Sequence, residues 1–147
     1  MLKQNKKSTV NRIIDANINR LKEGLRVCEE VTRFILNNRA LTLQLKKLRH
    51  EIDALTRTLV PRSLLLKERS AEKDVGRKLQ GNELKRGSLK DVFFANIQRV
   101  KESTRVLEEF SKLININSAL KFKRIRYKIY EIEKKAAGKI SSISNPG

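Results

Sequence analysis

The chain has 147 residues, a formal net charge of +18, 34% charged residues, one cysteine and no tryptophan. That length suits a single domain burying roughly 70% of its unfolded surface, and one cysteine excludes a disulfide scaffold and a cysteine-rich metal site. No run of about 18 apolar residues and no signal-peptide core is present, so a cytoplasmic protein without a membrane span is expected. The charge itself fits a nucleic acid, an anionic membrane surface or phosphorylated small molecules.

Ser8 or Thr9 is expected to cap a first helix running to about Leu36, with Ile14, Ile18, Leu21, Leu25, Cys28, Thr32 and Ile35 at helical spacing. Asn37 and Asn38 end it. A second helix, from about Ala40 to Val60, carries Leu41, Leu45, Leu48, Ile52, Leu55 and Leu59 and stops at Pro61. Between Pro61 and Gly87 the periodicity weakens and Gly76, Gly81 and Gly87 appear, which reads as a long basic loop with one helical turn at 63–68. Ser88 followed by Asp91 is a capping-box-like start for a third helix to about Ile114. After a turn at Asn115–Asn117, Ser118 is expected to cap a fourth helix to about Ala137, with Phe122, Ile125, Ile129, Ile132 and Ala136 buried. Gly138 closes it and 138–147 reads as a flexible tail.

The first and third helices are copies. AlaAsnIleAsnArgLeuLysGluGlyLeuArgValCysGluGluVal at 16–31 and AlaAsnIleGlnArgValLysGluSerThrArgValLeuGluGluPhe at 95–110 share ten of sixteen positions. LeuLysLysLeuArgHisGluIle at 45–52 aligns with PheLysArgIleArgTyrLysIle at 122–129, so the repeated unit is a whole helical hairpin. The expected fold is all-α: an antiparallel four-helix bundle of hairpins 8–60 and 88–137 with pseudo-two-fold symmetry, joined by the 61–87 crossover loop.

A duplication kept for packing alone would retain only apolar positions, whereas this one also retains Asn17/Asn96, Arg20/Arg99, Glu23/Glu102, Arg26/Arg105 and both pairs of glutamates. Ala16, Arg20, Glu23, Val27 and Glu30 form a stripe beside the main apolar face, repeated by Ala95, Arg99, Glu102, Val106 and Glu109. At a helix seam the arginine fork suits phosphate or carboxylate, while glutamate binds a metal, accepts a proton or orients the arginine. The bland alternative is intrahelical pairing of Arg20 with Glu23 and of Arg26 with Glu30. Asn17 and Asn96 fall toward the apolar side, where an amide needs partners. Arg49 and His50 stand where the fourth helix has Arg126 and Tyr127, and Asp74 with Gly76 offers a loop carboxylate beside a glycine; for His50 and Asp74 a structural role is the commoner one. Cys28 matches Leu107 in the repeat and reads as a core residue. No phosphate-binding glycine loop, metal-spaced Cys/His set or Ser-His-Asp candidate is present in the sequence.

The segments 13–30, 45–50, 74–76 (AspValGly) and 95–109 together resemble a helical domain of thiamine biosynthesis, over about residues 8–137. That domain is often fused ahead of thiamine-phosphate synthase and is described as a hydroxymethylpyrimidine-phosphate kinase unrelated in fold to the ribokinase-like enzyme. The resemblance implies γ-phosphoryl transfer from ATP with Mg²⁺. It places phosphate on Arg20, Arg49, Arg99 and Arg105, with Arg26 and His50 as further substrate-binding candidates. Mg²⁺ or an arginine is implied for Glu23, Glu102 and Asp74, which are also the catalytic candidates, and Asn17 and Asn96 are implied to contact the pyrimidine or ribose. With no barrel following Gly147, the chain is not expected to be the synthase itself, and Ser103 and Thr104 stand where alanine and leucine are more usual.

Two other readings compete. One is a non-catalytic partner of a thiamine-phosphate synthase, or a self-associating homodimeric scaffold. The other is a nucleic-acid-binding protein using Lys121, Lys123, Arg124, Arg126 and Lys128; the equal retention of glutamate in the repeat argues against it.

Overall fold

A computed structural model describes residues 4–78 and 86–142, so residues 79–85 of the expected crossover loop, Gly81 among them, and 143–147 of the expected tail lie outside the described residues. It comprises five α-helices: α1 (Gln4–Glu30), α2 (Arg39–Leu59), α3 (Arg62–Glu68), α4 (Leu89–Ser111) and α5 (Ile116–Ile140). No strand occurs among the described residues.

The apolar periodicity is realised as read. Ile14, Ile18, Leu21, Leu25 and Cys28 of α1 meet Leu41, Leu45, Leu48, Ile52, Leu55 and Leu59 of α2 and Phe122, Ile125, Ile129, Ile132 and Ala136 of α5 in one buried core. Full burial of one such aliphatic side chain contributes about 1.5–3 kcal/mol. Helix α1 packs most extensively on α4, α5 packs mainly on α4, and α2 touches both α1 and α5.

The helix ends differ from the reading in ways that the side chains explain. Ser8 and Thr9 cap nothing: α1 already runs through them, Thr9 Oγ1 donates to Asn5 O at 3.0 Å and Ser8 Oγ donates to Glu68. At its other end α1 continues into a wider π turn, Val31–Ile35. Asn37 then takes φ 49°, a left-handed conformation that asparagine tolerates. Asn38 Oδ1 accepts Leu41 N–H at 2.9 Å and starts α2. The Ser88 cap holds, accepting Asp91 N–H at 3.1 Å, although the Asp91 carboxylate reaches Gly87 N–H rather than Ser88. Asn115, not Ser118, caps α5; its Oδ1 accepts from Asn117 N–H at 2.9 Å and Ser118 N–H at 3.3 Å, and Ser118 is a buried helical residue. Gly138 does not stop α5, which continues to the buried Ile140.

The segment after Pro61 is held down rather than loose at its start. Leu65 of α3 is buried, and Arg69 grips the buried Asp15 of α1 with two bonds of 2.8 and 2.7 Å. Arg12 donates to Ser70 O at 3.3 Å beside them. Helices α1 and α4 approach closely at Gly24: a Cβ there would stand 2.8 Å from Val100 Cγ2 and 3.0 Å from Asn96 O.

Candidate functional site

Gly24 fixes the orientation of the repeated stripe. At about 100° per residue, Arg20, Val27 and Glu23 lie about 40°, 60° and 100° round α1 on one side of Gly24, and Leu21 and Leu25 lie about 60° and 100° on the other. Leu21 and Leu25 are fully buried, so the stripe borders the α1–α4 seam on the side away from the core. On α4, Arg99 and Glu102 hold the same offsets from Ser103, the counterpart of Gly24, while Val100 and Thr104 face the core. Both stripes therefore open onto one face. Ala16, Val27, Ala95 and Val106 are half-buried there, and Arg20, Glu23, Arg99 and Glu102 are exposed.

These four charged groups are little used by the fold. The expected Arg20–Glu23 pair is not formed: Arg20 Nη1 donates instead to Asn17 Oδ1 at 3.4 Å. Glu102 accepts from Gln98 at 3.0 Å, and Glu23 and Arg99 have no hydrogen-bond or ion-pair partner among the described residues. Asn17 and Asn96 line the same seam but spend their amide donors within their own helices, Asn17 on Ile13 O and Asn96 on Val92 O, both at 2.8 Å.

The other arginines belong to two separate arrangements. Glu29, buried in α1, accepts from Arg49 at 2.9 and 3.3 Å and from Arg26 at 3.4 Å. Glu108, buried in α4, accepts from Arg126 at 3.1 and 3.4 Å and from Arg105 at 3.1 Å. Arg26 thus pairs with Glu29, not Glu30, which is exposed. The hydrogen bond to Glu29 holds Arg49 above the usual guanidinium range, and for Arg126 the bond to Tyr130, at 2.8 Å, does most. Arg26 and Arg49 on one hairpin and Arg105 on the other do not converge with Arg20 and Arg99.

The remaining candidates stand apart. His50 is exposed, and Asp74 is exposed with its Oδ1 accepting Gly76 N–H at 2.9 Å, an ordinary turn. No group of three or more His, Cys, Asp or Glu side chains placed to hold a metal ion occurs among the described residues, so Asp74 does not join Glu23 and Glu102 in one cluster. Cys28 is buried and its thiol is pushed up to about 12, chiefly by desolvation, which removes it as a nucleophile. The reading of the sequence missed Glu29, Glu108 and Asp15 as individuals. A buried carboxylate at the edge of an apolar stripe, one position from an exposed one, is the signal that distinguishes Glu29 from Glu30.

No helix of the described residues is long and apolar enough to cross a membrane. Residues 12–135 match the model of the ThiD2 family. A thiamine-phosphate synthase of Nostoc punctiforme is 42% identical over 137 residues, covering 92% of this chain and 38% of that protein. Thiamine-phosphate synthases of Rhodopirellula baltica and a Synechocystis species are 41% and 37% identical over 135 residues, covering 88% and 90% of this chain. The chain spans 36% and 37% of those two, so it corresponds to little more than a third of the length of these relatives. No solved structure matches it.

Proposed function

Since the chain belongs to the ThiD2 family, we propose that it acts in thiamine biosynthesis, transferring the γ-phosphoryl group of ATP to the phosphate of hydroxymethylpyrimidine phosphate. The observation that supports a site on the α1–α4 seam is the pair Arg99 and Glu23, whose side chains have no partner among the described residues on the face they share with Arg20 and Glu102. A symmetric origin of that face, from two hairpins of a four-helix bundle about a pseudo-two-fold axis, belongs to the same proposal.

In the reaction a phosphate oxygen of the pyrimidine ester forms a bond to Pγ, and the bond from Pγ to the β–γ bridging oxygen breaks. ADP leaves with that electron pair. Both reactants are anions, so most of the barrier is positioning and charge. Arg20 and Arg99, one from each helix, bring guanidinium forks to opposite sides of the seam, where they offset the repulsion between the two phosphates. Asn17 lies under Arg20, and its 3.4 Å contact steers that guanidinium. Glu23 and Glu102 fit Mg²⁺, which takes one or two carboxylates plus substrate phosphates and keeps its other positions for water. The ion, when bound, supplies charge neutralisation between the β- and γ-phosphates.

The test is phosphorus NMR of the protein with ATP, Mg²⁺ and hydroxymethylpyrimidine phosphate. A new diphosphate signal with ADP, lost in Arg99→Ala and Glu23→Gln variants of unchanged helicity, supports the transfer. No turnover by the folded protein refutes it and favours the second reading, a non-catalytic module of a thiamine-phosphate synthase, which the names and greater lengths of the relatives motivate.

A further inference from the structure

A separate cleft of about 520 Å³ opens between α4 and α5. Its charged lining is Arg105, Lys112, Lys123 and Arg126 against a single acid, Glu108, and its apolar wall is Ile116, Ala119, Leu120 and the Tyr127 ring. Arg105 and Glu108 lie about 120° and 180° round α4 from Arg99. The cleft therefore faces away from the seam.

The duplication tells which part of the cleft is retained. Arg105, Glu108 and Lys112 align with Arg26, Glu29 and Arg33, and Lys123 and Arg126 align with Lys46 and Arg49, so every charged position keeps its sign. Of the apolar wall only Leu120 persists, as Leu43; Ile116, Ala119 and Tyr127 stand at the positions of Arg39, Thr42 and His50. What the second hairpin adds to the shared cations is an apolar surface.

The cations differ in how firmly they are held. Arg126 is fixed by Glu108, by the Tyr130 hydroxyl at 2.8 Å and by stacking on the Tyr127 ring at 5.3 Å, a guanidinium already oriented at the cleft floor. Lys123 has no partner among the described residues. Lys112 bonds the exposed Glu109 at 2.9 Å and Arg105 divides its fork between Glu109 at 3.0 Å and buried Glu108 at 3.1 Å, so the Glu109 pairs are the ones that an incoming anion can replace. Thr32 of the first hairpin shares a 3.0 Å hydrogen bond with the Thr42 hydroxyl; their counterparts are Ser111 and Ala119, and the fully buried Ser111 Oγ has no partner among the described residues.

We propose that the α4–α5 cleft binds a phosphate monoester with an apolar body, its phosphate among Lys123, Arg105 and Lys112 and its body against Leu120, Ile116 and Tyr127. The volume lies in the range of small-ligand sites, roughly 300–1,000 Å³. Four cations stand against Glu108 and the neighbouring Glu109, and that excess fixes the sign of the ligand. The proposal is independent of phosphoryl transfer at the seam.

Tyr127 lines this cleft, Tyr130, the chain's other tyrosine, meets its ring at 5.8 Å, and there is no tryptophan, so intrinsic tyrosine fluorescence reports on the cleft. Hexyl phosphate, which has no chromophore, is titrated into the full chain, with inorganic phosphate in parallel. The expected result is a saturable one-site change, with inorganic phosphate at least tenfold weaker. Lys123→Glu weakens hexyl phosphate at least tenfold, Leu120→Ser weakens it without affecting inorganic phosphate, and Arg99→Ala leaves it unchanged. Both Lys123 and Leu120 are exposed, and far-UV circular dichroism verifies the fold of each variant. A change that never saturates, equal affinity of Lys123→Glu, or loss of binding in Arg99→Ala overturns the proposal. Turnover at the seam, read by phosphorus NMR, is unaffected by any of these outcomes.

Discussion

Replacing Gly24 by alanine tests the seam on which the proposed site is built, because two contributions of opposite sign meet there. Helix propensity alone favours alanine over an interior glycine by about 1 kcal/mol. Against this, the new methyl would stand 2.8 Å from Val100 Cγ2 and 3.0 Å from Asn96 O. Carbon atoms pack at about 3.5–4.0 Å. Val100 is fully buried and β-branched, so its methyl cannot swing aside, and Asn96 O is backbone, so α4 itself must move. Overpacking of this kind costs about 1–3 kcal/mol, and the net expectation is a loss of about 1 kcal/mol, or roughly 2–4 °C in Tm. Gly138, near the end of α5 with nothing within 4 Å of an added Cβ, is the control, and there alanine should stabilise slightly. Urea and thermal unfolding followed at the helical circular dichroism band give both signs. If Gly24→Ala stabilises as Gly138→Ala does, α1 and α4 do not meet as described and the face defined from Gly24 is wrong. Val100→Ala in the Gly24→Ala background should recover part of the loss, since it removes one of the two contacts.

Glu108→Gln and Glu29→Gln should each cost roughly 2–3 kcal/mol in urea unfolding, somewhat less than the 3–5 of a fully buried pair, because Arg126 and Arg49 keep side-chain exposures of 12% and 17%. A matched loss in the two hairpins supports equivalent roles, and a null effect in either refutes its share. Burial raises the Cys28 thiol from 9.0 to about 12, so its contribution to stability is complete below pH 9.0 and is lost as pH rises toward 12. Cys28→Ala should flatten that part of the stability profile, and the native thiol should resist a disulfide reagent at neutral pH while the unfolded chain reacts. Asp15→Asn weakens the two bonds to Arg69, and trypsin should then cleave after Arg69 and Lys73 faster, with little change in global stability.

The positions of α1, α2, α4 and α5 were legible because each carries an unbroken apolar stripe at 3.6-residue spacing, which fixes a helix whatever its neighbours are. Their ends were less so. Ser8 and Thr9 resemble caps in sequence, yet Ser8 is recruited by Glu68, sixty residues away, and such a contact leaves no local signature. Asn115 and Ser118 are both competent caps; Asn115 wins because capping there adds Ile116 and Asn117 to the helix. At the candidate site, the repeat singled out the stripe that the structure leaves exposed at the α1–α4 seam but not the division of labour. Arg26 and Arg105 look like Arg20 and Arg99 in sequence, and only the third dimension shows that the former are tied to buried glutamates.

That division allows the ten identities of the duplicated helix to be sorted by cause. Ile18 and Ile97 are core, and Ala16, Ala95, Val27 and Val106 are half-buried small residues beside the seam. Asn17 and Asn96 bond back to their own helices, and Lys22 and Lys101 bridge to Asp53 at 2.7 Å and Glu133 at 2.9 Å on the partner helices. The exposed Arg26 and Arg105 reach the buried Glu29 and Glu108, and Glu109 is a surface partner of Lys112 and Arg105. Folding accounts for these except Glu30, the counterpart of Glu109, which is exposed with no side-chain partner among the described residues. It does not account for Arg20 and Arg99 or for Glu23 and Glu102, which face solvent with one weak contact, one amide contact or none. Surface substitutions of that kind change stability by about 0.5 kcal/mol or less. The Arg20→Ala/Arg99→Ala double variant should therefore unfold at the wild-type urea midpoint while losing phosphoryl transfer. A double variant that unfolds early would return these arginines to the fold and leave the seam without a functional residue of its own.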